Sequence, residues 1–252
     1  MPKHMSSCAG CQEGAAFQAA FAMAFQPIVD IRDRRVFAYE ALVRGPAGEP
    51  AASVLDQVTT DSRYAFDQAC RVKALQTAVA AGMIATGAKL SINFLPNAVY
   101  SPMACIQLTL ATAAQTGFPP DRLIFEFTEN EDMGSPEHVE AIIDTYRKIG
   151  FSVAIDDFGA GYSGLGRFAR FRPDLIKLDM DLIRGVDADP RRRAVVAAIV
   201  GMCAALDTLL IAEGVETVGE AATLDRLGIR LMQGYLFAPP AFEALPDVVF
   251  PG

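Results

Sequence analysis

The sequence predicts an α/β fold in which a closed barrel of mainly parallel strands is surrounded by helices. Three observations support this prediction. The chain has 252 residues, and a barrel of eight strand–helix units needs about 250. Short β-like runs alternate with longer helical stretches over the whole length, which is typical of a parallel sheet covered by helices. The β-like runs are almost continuously apolar, as expected for strands that are buried on both faces.

Eight segments have the length and composition of strands, a number that favours a closed barrel over an open sheet. They are residues 25–30, 36–43, 89–93, 123–128, 152–157, 174–179, 209–213 and 229–233. The first two are separated by residues 31–35, a connection short enough for a hairpin. We therefore predict a modified TIM (β/α)8-type barrel with an antiparallel first strand.

Five helical stretches connect the later strands, and some of their ends carry clear signals. The stretches are residues 65–85, 103–116, 135–149, 190–205 and 217–227. Ser135 followed by Pro136 predicts an N-cap with proline at the first helical position, and Gly150 is suited to end that helix. Gly228 is likewise placed to close the last helix.

The predicted domain organisation is one barrel over residues 15–252, preceded by a short tail. Residues 1–14 are small and polar, so we expect them to be a disordered tail or a remnant of expression. Within this tail, Cys8 and Cys11 form an isolated C-x-x-C pair, which is a weak signal for zinc or redox chemistry. The five cysteines are scattered over the chain, so we expect a reducing compartment and no disulfide framework.

The composition excludes several partners and several kinds of chemistry. Lys and Arg total 22 against 30 for Asp and Glu, so duplex nucleic acid is not an expected partner. The longest apolar run, residues 194–206, is shorter than the roughly 18 residues of a membrane span, so we expect a cytoplasmic protein without membrane association. The only histidines are His4 and His138. Hydrolytic chemistry would therefore depend mainly on carboxylates.

Polar side chains stand at or near the C-terminal ends of most predicted strands. They are five carboxylates, two amides and one lysine: Glu40, Asn93, Glu126, Asp156, Asp157, Lys177, Glu213 and Gln233. In a parallel barrel these ends meet at one face, where barrel enzymes build their active sites. Any one of these residues alone is typical of a solvated strand end, but their recurrence on seven strands favours a common site.

The residue types in this group indicate a site for divalent cations. Buried carboxylates must be paired or metal-bound, and oxygen ligands suit Mg²⁺ or Mn²⁺. The surplus of acidic groups indicates two ions, an arrangement used for displacement at phosphorus.

A glycine-rich segment offers a competing interpretation. Residues 159–164 (GAGYSG) match G-x-G-x-x-G, follow a predicted strand and precede one that ends at Asp179, which is the outline of a dinucleotide-binding fingerprint. However, Asp156 and Asp157 would repel a pyrophosphate, and residues 165–172 reach Pro173 too soon for a full crossover helix. We therefore favour a flexible loop beside the metal site.

Several motifs, in their order along the chain, resemble those of the EAL family of cyclic-di-GMP phosphodiesterases. They are residues 39–44 (YEALVR), 91–93 (SIN), 125–129 (FEFTE), 155–163 (IDDFGAGYS), 176–179 (IKLD), 212–217 (AEGVET) and 233–237 (QGYLF). The resemblance covers about residues 25–240. Residues 64–67 (YAFD) and 90–96 (LSINFLP) are similar to the branch of this family that is attached to blue-light sensor domains.

The resemblance implies a role for each matching residue. One metal would be held by Glu40, Asn93, Glu126 and Asp156, and a second by Asp156, Asp157 and Glu213. Lys177 would orient and activate the attacking water with support from Gln233. Glu213 has been considered a general base in such families, a role that a hydroxide held by two metals would make unnecessary.

The resemblance also implies contacts outside the metal site. The nucleotide would be contacted by Gln26, Leu42 and Arg44, with Arg44 on a phosphate, and further by Asp179. Glu129 would anchor the loop of residues 158–163 and couple metal binding to a homodimer contact.

Three functions follow as hypotheses. The main one is metal-dependent hydrolysis of one phosphodiester bond of cyclic-di-GMP, which gives linear pGpG. The second is a non-catalytic cyclic-di-GMP receptor or protein-interaction module that regulates transcription; loss of ligands would mark that state, and every expected ligand is present. The third is a dinucleotide-dependent oxidoreductase, which binding of NAD by the purified protein would reveal.

Overall fold

The computed structural model describes residues 16–128, 135–161 and 164–251. Within these ranges the strands form one sheet of nine, in the order β2-β3-β4-β5-β6-β7-β8-β1-β9. They are β1 Ala22–Asp30, β2 Arg35–Arg44, β3 Lys89–Asn93, β4 Leu123–Thr128, β5 Ser152–Phe158, β6 Leu175–Leu178, β7 Leu209–Ala212, β8 Leu231–Gln233 and β9 Ala241–Phe242. Because β1 also pairs with β2, the first eight strands close into a barrel, which confirms the predicted fold class.

The direction of β1 determines which of its residues reach the functional face. All neighbouring pairs from β2 to β8 are parallel, so the C-terminal ends of these seven strands lie at one mouth of the barrel. The first strand is antiparallel to both β2 and β8, as predicted from the hairpin. Its N-terminal half therefore lies at that same mouth, with Gln26 directly opposite Glu40.

The helices surround this barrel. Those in the described ranges are α1 Ala52–Leu55, α2 Arg63–Ala80, α3 Met83–Thr86, α4 Pro102–Cys105, α5 Gln107–Thr116, α6 Pro136–Ile149, α7 Gly164–Phe171, α8 Met180–Ile183, α9 Pro190–Ala205 and α10 Val218–Leu227. The predicted ends of α6 are confirmed: the Ser135 side chain accepts a hydrogen bond from the backbone of His138, and Gly150 ends the helix with a φ of 102°.

Two helical predictions differ from the structure because single residues interrupt them. The stretch 65–85 is two helices, α2 and α3, separated by Gly82 with a φ of 85°. The stretch 103–116 is likewise divided into α4 and α5 at Ile106. The two-residue strand β9 was not predicted, because it is too short to show a periodic pattern.

The short helix that follows the glycine-rich segment was not predicted. Residues 164–171 form the helix α7. Eight residues give two helical turns, and Phe168 and Phe171 bury their rings against Phe158 and Phe127. Pro173 does limit the helix, since residues before a proline avoid the helical conformation. One argument against a dinucleotide fingerprint therefore fails, while the repulsion from Asp156 and Asp157 remains.

Two hydrophobic clusters make up the core. The larger one packs the outer faces of the strands against the helices. The smaller one fills the barrel interior with one residue from each of seven strands: Ile28, Ala38, Ile124, Ala154, Leu175, Ile211 and Leu231. We call this apolar layer the floor of the barrel. The polar residues of the mouth lie directly above it.

Some predictions fall outside the described residues. These are the disordered tail of residues 1–14 with Cys8 and Cys11, and the loop anchor Glu129. The division into a tail and a barrel therefore stays a prediction. Among the described residues, no helix has both the length and the apolar character that crossing a bilayer requires.

Candidate metal and substrate site

A layer of polar side chains lies directly above the apolar floor of the barrel. Successive side chains of a strand point to opposite faces, so residues two apart share a face. Counting two residues from each floor residue toward the mouth reaches seven polar side chains: Gln26, Glu40, Glu126, Asp156, Lys177, Glu213 and Gln233. The period of the strands therefore brings seven predicted site residues to one interior surface.

Lys177 lies at the centre of this layer. Its side chain is 1% exposed, and Nζ lies 2.7 Å from Glu213 Oε1, 3.1 Å from Asp156 Oδ1, and 3.3 Å from both Glu40 Oε2 and Glu126 Oε2. Burial alone would lower the pKa of Lys177, but the four carboxylates hold this pKa well above its usual range. The ammonium group is therefore charged at neutral pH and links carboxylates from four different strand ends.

One lysine does not neutralise this number of acidic groups. Burial, acting against the attraction of Lys177, raises the pKa of Glu126 and of Glu213 well above the usual range. Burial also acts to raise the pKa of Glu40, but Lys177 and the hydrogen bond from Gln233 outweigh it and the net shift is downward. Raised pKa values in buried carboxylates mean that the cluster favours additional positive charge.

Asn93 and Ser91 complete the layer from β3. The amide nitrogen of Asn93 lies 3.2 Å from Glu40 Oε1 and 3.3 Å from Glu126 Oε1. The hydroxyl of Ser91 donates a buried hydrogen bond of 2.8 Å to Glu126 Oε2. Sequence reasoning did not assign a role to Ser91, although its position two residues before Asn93 places both on the inner face of the strand.

The carboxylates form two groups suited to hard divalent cations. Glu40, Glu126 and Asp156 each offer an oxygen within 4.8 Å of the others, and so do Asp156, Asp157 and Glu213. Asp156 belongs to both groups. An all-oxygen donor set of this kind suits Mg²⁺ or Mn²⁺, and the excess of buried acid provides the charge that such ions require. The residues therefore fit the two ions that the sequence predicts.

Both Asp156 and Asp157 reach the site because β5 is irregular there. In a regular strand, consecutive side chains point to opposite faces. The pairing of β5 with β6 shifts register between Ile155 and Phe158, and Asp157 has a φ of 52°. Such a left-handed conformation is costly for a residue other than glycine and is concentrated at functional sites. The bulge turns Asp157 toward the site occupied by Asp156.

Metal affinity is expected to depend on pH through Asp157. Partial burial, together with Asp156 and Asp179, raises the pKa of Asp157 to about 6. A ligand must be deprotonated to bind a cation, so one group with this pKa lowers affinity about tenfold between pH 7.5 and pH 5. We expect titrations of Mn²⁺ into the protein to show at least this loss. A constant affinity over this range would contradict the assignment of Asp157 as a ligand.

Two cavities lie on either side of the polar layer. The first, of about 320 Å³, is lined by Gln26, Glu40, Asp157, Asp179, Met180, Arg184, Glu213, Gly214, Glu216, Gln233, Gly234 and Tyr235. The second, of about 300 Å³, includes Leu42, Arg44, Phe66 and Asn93 in its more apolar lining.

The residues predicted to contact the nucleotide divide between these cavities. Gln26 and Asp179 line the first, and Leu42 and Arg44 line the second. The guanidinium of Arg44 donates a 2.7 Å hydrogen bond to the carbonyl of Val43. Sequence reasoning assigned no role to Arg184 or Tyr235. Both line the first cavity, because the chain segments that follow β6 and β8 bring them to the mouth.

Two glycines allow loops of the mouth to approach each other closely. A Cβ atom on Gly234, next to Gln233, would lie 2.0 Å from the carbonyl oxygen of Val215. A Cβ atom on Gly214, next to Glu213, would lie 2.5 Å from Cβ of Met180, and Gly214 also has a φ of 63°. Both positions therefore require glycine, and both directly follow a predicted site residue.

The structure brings together all eight polar residues predicted at the strand ends, and it adds Ser91 to them. It places Gln26 and Asp179 in the lining of the first cavity, and Leu42 and Arg44 in the lining of the second. Their assignments as metal ligands, catalytic groups or nucleotide contacts stay predictions.

Comparison with known proteins gives a match over most of the chain. The sequence model of a family described as the EAL domain matches residues 14–240. A crystal structure of a standalone versatile EAL protein from Vibrio cholerae O395, in its c-di-GMP bound form, shares 47% sequence identity with a TM-score of 0.89. The alignment covers 93% of this chain and 98% of that chain.

Two curated relatives differ in the activity that their names state. The blue light- and temperature-regulated antirepressor BluF of Escherichia coli K12 is 34% identical over 228 residues, which are 90% of this chain and 56% of BluF. The cyclic di-GMP phosphodiesterase RocR of Pseudomonas aeruginosa PAO1 is 35% identical over 154 residues, which are 61% of this chain and 39% of RocR. The chain thus spans about half or less of the length of these two relatives.

Proposed function

This chain belongs to the EAL domain family, and from that membership and the geometry of its site we propose that it hydrolyses cyclic-di-GMP to linear pGpG with divalent cations. The observation that carries this proposal is that the carboxylates at the mouth of the barrel form two clusters of three residues, with Asp156 common to both. Two adjacent cation sites are the standard arrangement for displacement at a phosphodiester.

The residues that would hold the cations follow from the two groups. Glu40, Glu126 and Asp156 would hold one ion, with Asn93 beside them, and Asp156, Asp157 and Glu213 would hold the other. We propose Mg²⁺ or Mn²⁺ as the ions. When bound, they would supply Lewis-acid stabilisation of the negative phosphodiester and would lower the pKa of water toward neutrality.

The remaining groups of the site bind and orient the reactants. The Lys177 ammonium, fixed by four carboxylates, donates a hydrogen bond that directs a water molecule toward phosphorus. Glu213 is the carboxylate nearest to this ammonium group, at 2.7 Å, and helps to hold it in this orientation. Gln233 donates hydrogen bonds to Glu40 and Gln26, at 2.7 Å and 3.2 Å, and keeps this wall of the site in place.

The balance of the reaction is one water added and one ester bond broken. The water oxygen forms a new bond to phosphorus, and the opposite ester oxygen leaves in line and takes up a proton. The product carries a terminal phosphate at one end and a free hydroxyl at the other. The two cavities beside the carboxylates suit a ligand with two bases on either side of the reacting phosphodiester.

Arg44→Ala is expected to weaken cyclic-di-GMP binding without changing metal binding. Arg44 lines the second cavity, and a charge-assisted hydrogen bond contributes about 1.5–3 kcal/mol, equivalent to a loss of roughly tenfold to a hundredfold in affinity. The measurement is a calorimetric titration of the ligand and, separately, of Mn²⁺. Arg32→Ala is the matched control, because Arg32 pairs with Asp225 and lines neither cavity. An unchanged affinity in Arg44→Ala would reject its phosphate contact.

The proposal is tested by resolving the products that form when the purified protein is incubated with cyclic-di-GMP. We expect pGpG to accumulate with Mg²⁺ or Mn²⁺ and to be absent with chelator. Intact cyclic-di-GMP in the presence of both cations would refute hydrolysis.

A second candidate function is that of a non-catalytic cyclic-di-GMP receptor or protein-interaction module. The observation that favours it is the similarity to BluF, whose name states that it is an antirepressor. Under this alternative, the protein binds cyclic-di-GMP with or without cations and releases no pGpG. The product assay separates the two functions directly.

We further propose that the protein acts as a cytoplasmic homodimer, as the resemblance to the family implies. Sedimentation of the purified protein over a range of concentrations tests the dimer. A single species with the 27.0 kDa mass of one chain at all concentrations would contradict it.

A further inference from the structure

A buried ion pair lies behind the metal site, and Asp67 of this pair also lines the second cavity. Asp67 and Arg71 occupy consecutive turns of α2, with Arg71 Nη2 2.6 Å from Asp67 Oδ2. Arg71 is 0% exposed and Asp67 is 2% exposed. Removing two charges from water is costly even when they pair, so such a pair is weak evidence of a gain in stability. Its contacts indicate a different role.

The contacts of the pair converge on the end of β3 and on the middle of the neighbouring strand β4. Asp67 Oδ1 accepts a 2.9 Å hydrogen bond from the backbone nitrogen of Leu95. The Arg71 guanidinium carbon lies 5.6 Å from the ring centre of Phe94 and 5.4 Å from that of Phe125. On the far side, Arg71 Nη1 donates a 3.0 Å hydrogen bond to the hydroxyl of Tyr146 on α6. Two helices therefore hold this corner of the barrel through one guanidinium.

The two aromatic residues that Arg71 contacts are direct neighbours of two proposed metal ligands. Phe94 follows Asn93, and Phe125 precedes Glu126. Because neighbouring side chains of a strand point to opposite faces, Arg71 contacts the outer face of the same backbone whose inner face presents Asn93 and Glu126. The backbone nitrogen of Phe94 also donates a 2.9 Å hydrogen bond to the carbonyl of Glu126. Asn93 is exposed at the mouth, so its direction depends on this backbone together with its contacts to Glu40 and Glu126.

We infer that Asp67 and Arg71 are positioning residues, which fix the end of β3 and the middle of β4 so that Asn93 and Glu126 point at a common cation. The inference rests on the proposed metal site. Groups that orient metal ligands from behind commonly change metal affinity by tenfold to a hundredfold when they are replaced.

A second ion pair, which is partly exposed and not buried, provides a control near the opposite end of the barrel. Asp174 pairs with Arg147, with 3.2 Å between Arg147 Nε and Asp174 Oδ1. Asp174 Oδ2 accepts a 2.8 Å hydrogen bond from the backbone nitrogen of Val153. This pair also joins a helix to the backbone of a strand, but it does so near the N-terminal ends of β5 and β6, away from the mouth.

The test compares two double variants of the full chain, Asp67→Leu with Arg71→Met and Asp174→Leu with Arg147→Met. Each removes both charges together, which avoids leaving a buried charge unpaired. Mn²⁺ is titrated into each protein and followed by electron paramagnetic resonance of the free ion, and thermal unfolding is recorded in chelator. We expect at least a tenfold loss of Mn²⁺ affinity in the first variant and an unchanged affinity in the second. Arg71→Lys, which keeps a cation beside Asp67, should lose less than the first variant.

The outcomes separate this inference from the proposed function. If the unmodified protein binds Mn²⁺ and the Asp67/Arg71 variant binds it equally well, the positioning role is overturned and the metal site stands. If the unmodified protein binds no Mn²⁺, the proposed function fails and the inference fails with it. If the Asp67/Arg71 double variant shows no cooperative unfolding, the single variant Asp67→Asn is used in its place, with Asp174→Asn as its control. A tenfold loss of Mn²⁺ affinity in Asp67→Asn alone is again the expected result, and equal affinities would overturn the positioning role.

Discussion

Asp156→Asn is expected to abolish hydrolysis of cyclic-di-GMP while leaving the fold intact. Asp156 belongs to both carboxylate groups, so its replacement by an amide weakens both cation sites at once. Two-metal stabilisation supplies several kcal/mol to the transition state, and each 1.36 kcal/mol is a factor of ten in rate, so we expect a loss of about a thousandfold or more. The measurement is the rate of pGpG formation with Mg²⁺ and with Mn²⁺.

The control for this prediction is Asp144→Asn, which makes the same chemical change at an exposed position of α6. Its turnover should equal that of the unmodified protein. Thermal unfolding should be cooperative in both variants, because neither change alters the volume of the side chain. Unchanged turnover in Asp156→Asn would refute the two-metal assignment.

Lys177→Met is expected to destabilise the protein in chelator as well as to remove activity. Four carboxylates surround Lys177 Nζ within 3.3 Å, and removal of one partner from a buried ion pair typically costs about 3–5 kcal/mol. The free energy of unfolding in denaturant, measured in chelator at pH 7.5, should fall by about this amount. A change below about 1 kcal/mol would contradict the role of Lys177 as the counter-charge of the cluster.

The pH dependence of this variant has a definite sign. Burial already raises the pKa of Glu126 and Glu213 in the folded protein, and loss of Lys177 removes the attraction that opposes this rise. A carboxyl group with a raised folded-state pKa binds more protons in the folded state, so stability rises as pH falls from that raised pKa toward the ordinary carboxyl pKa of the unfolded chain. Lys177→Met in chelator should therefore regain stability on acidification from pH 7.5. The exposed Lys148→Met is the control and should show neither effect.

The sequence could predict the barrel and its polar mouth because both follow from local periodicity. The bounds predicted for β3 and β4 coincide with those observed. In β3 apolar and polar residues alternate, and β4 is mainly apolar. The alternation of side chains then places Glu126 two residues beyond Ile124 on the inner face. Local spacing was sufficient for these residues, and no knowledge of distant contacts was needed.

Features that depend on distant contacts could not be predicted in this way. Arg71 meets Tyr146 across 75 positions of the chain, and no local pattern links the two. The helix α7 was missed because Pro173 indicated a loop, whereas the burial of Phe168 and Phe171 stabilises two helical turns before it. The bulge that turns Asp157 into the site depends on the pairing of β5 with β6, which single-strand patterns do not reveal.

Crystals soaked in Mn²⁺ and measured at a wavelength sensitive to manganese test the central claim most directly. The account predicts two anomalous peaks about 4 Å apart at the mouth of the barrel, one beside Glu40, Asn93 and Glu126, the other beside Asp157 and Glu213, with Asp156 between them. Peaks at other places, or none at the mouth in crystals that bind Mn²⁺, would contradict it.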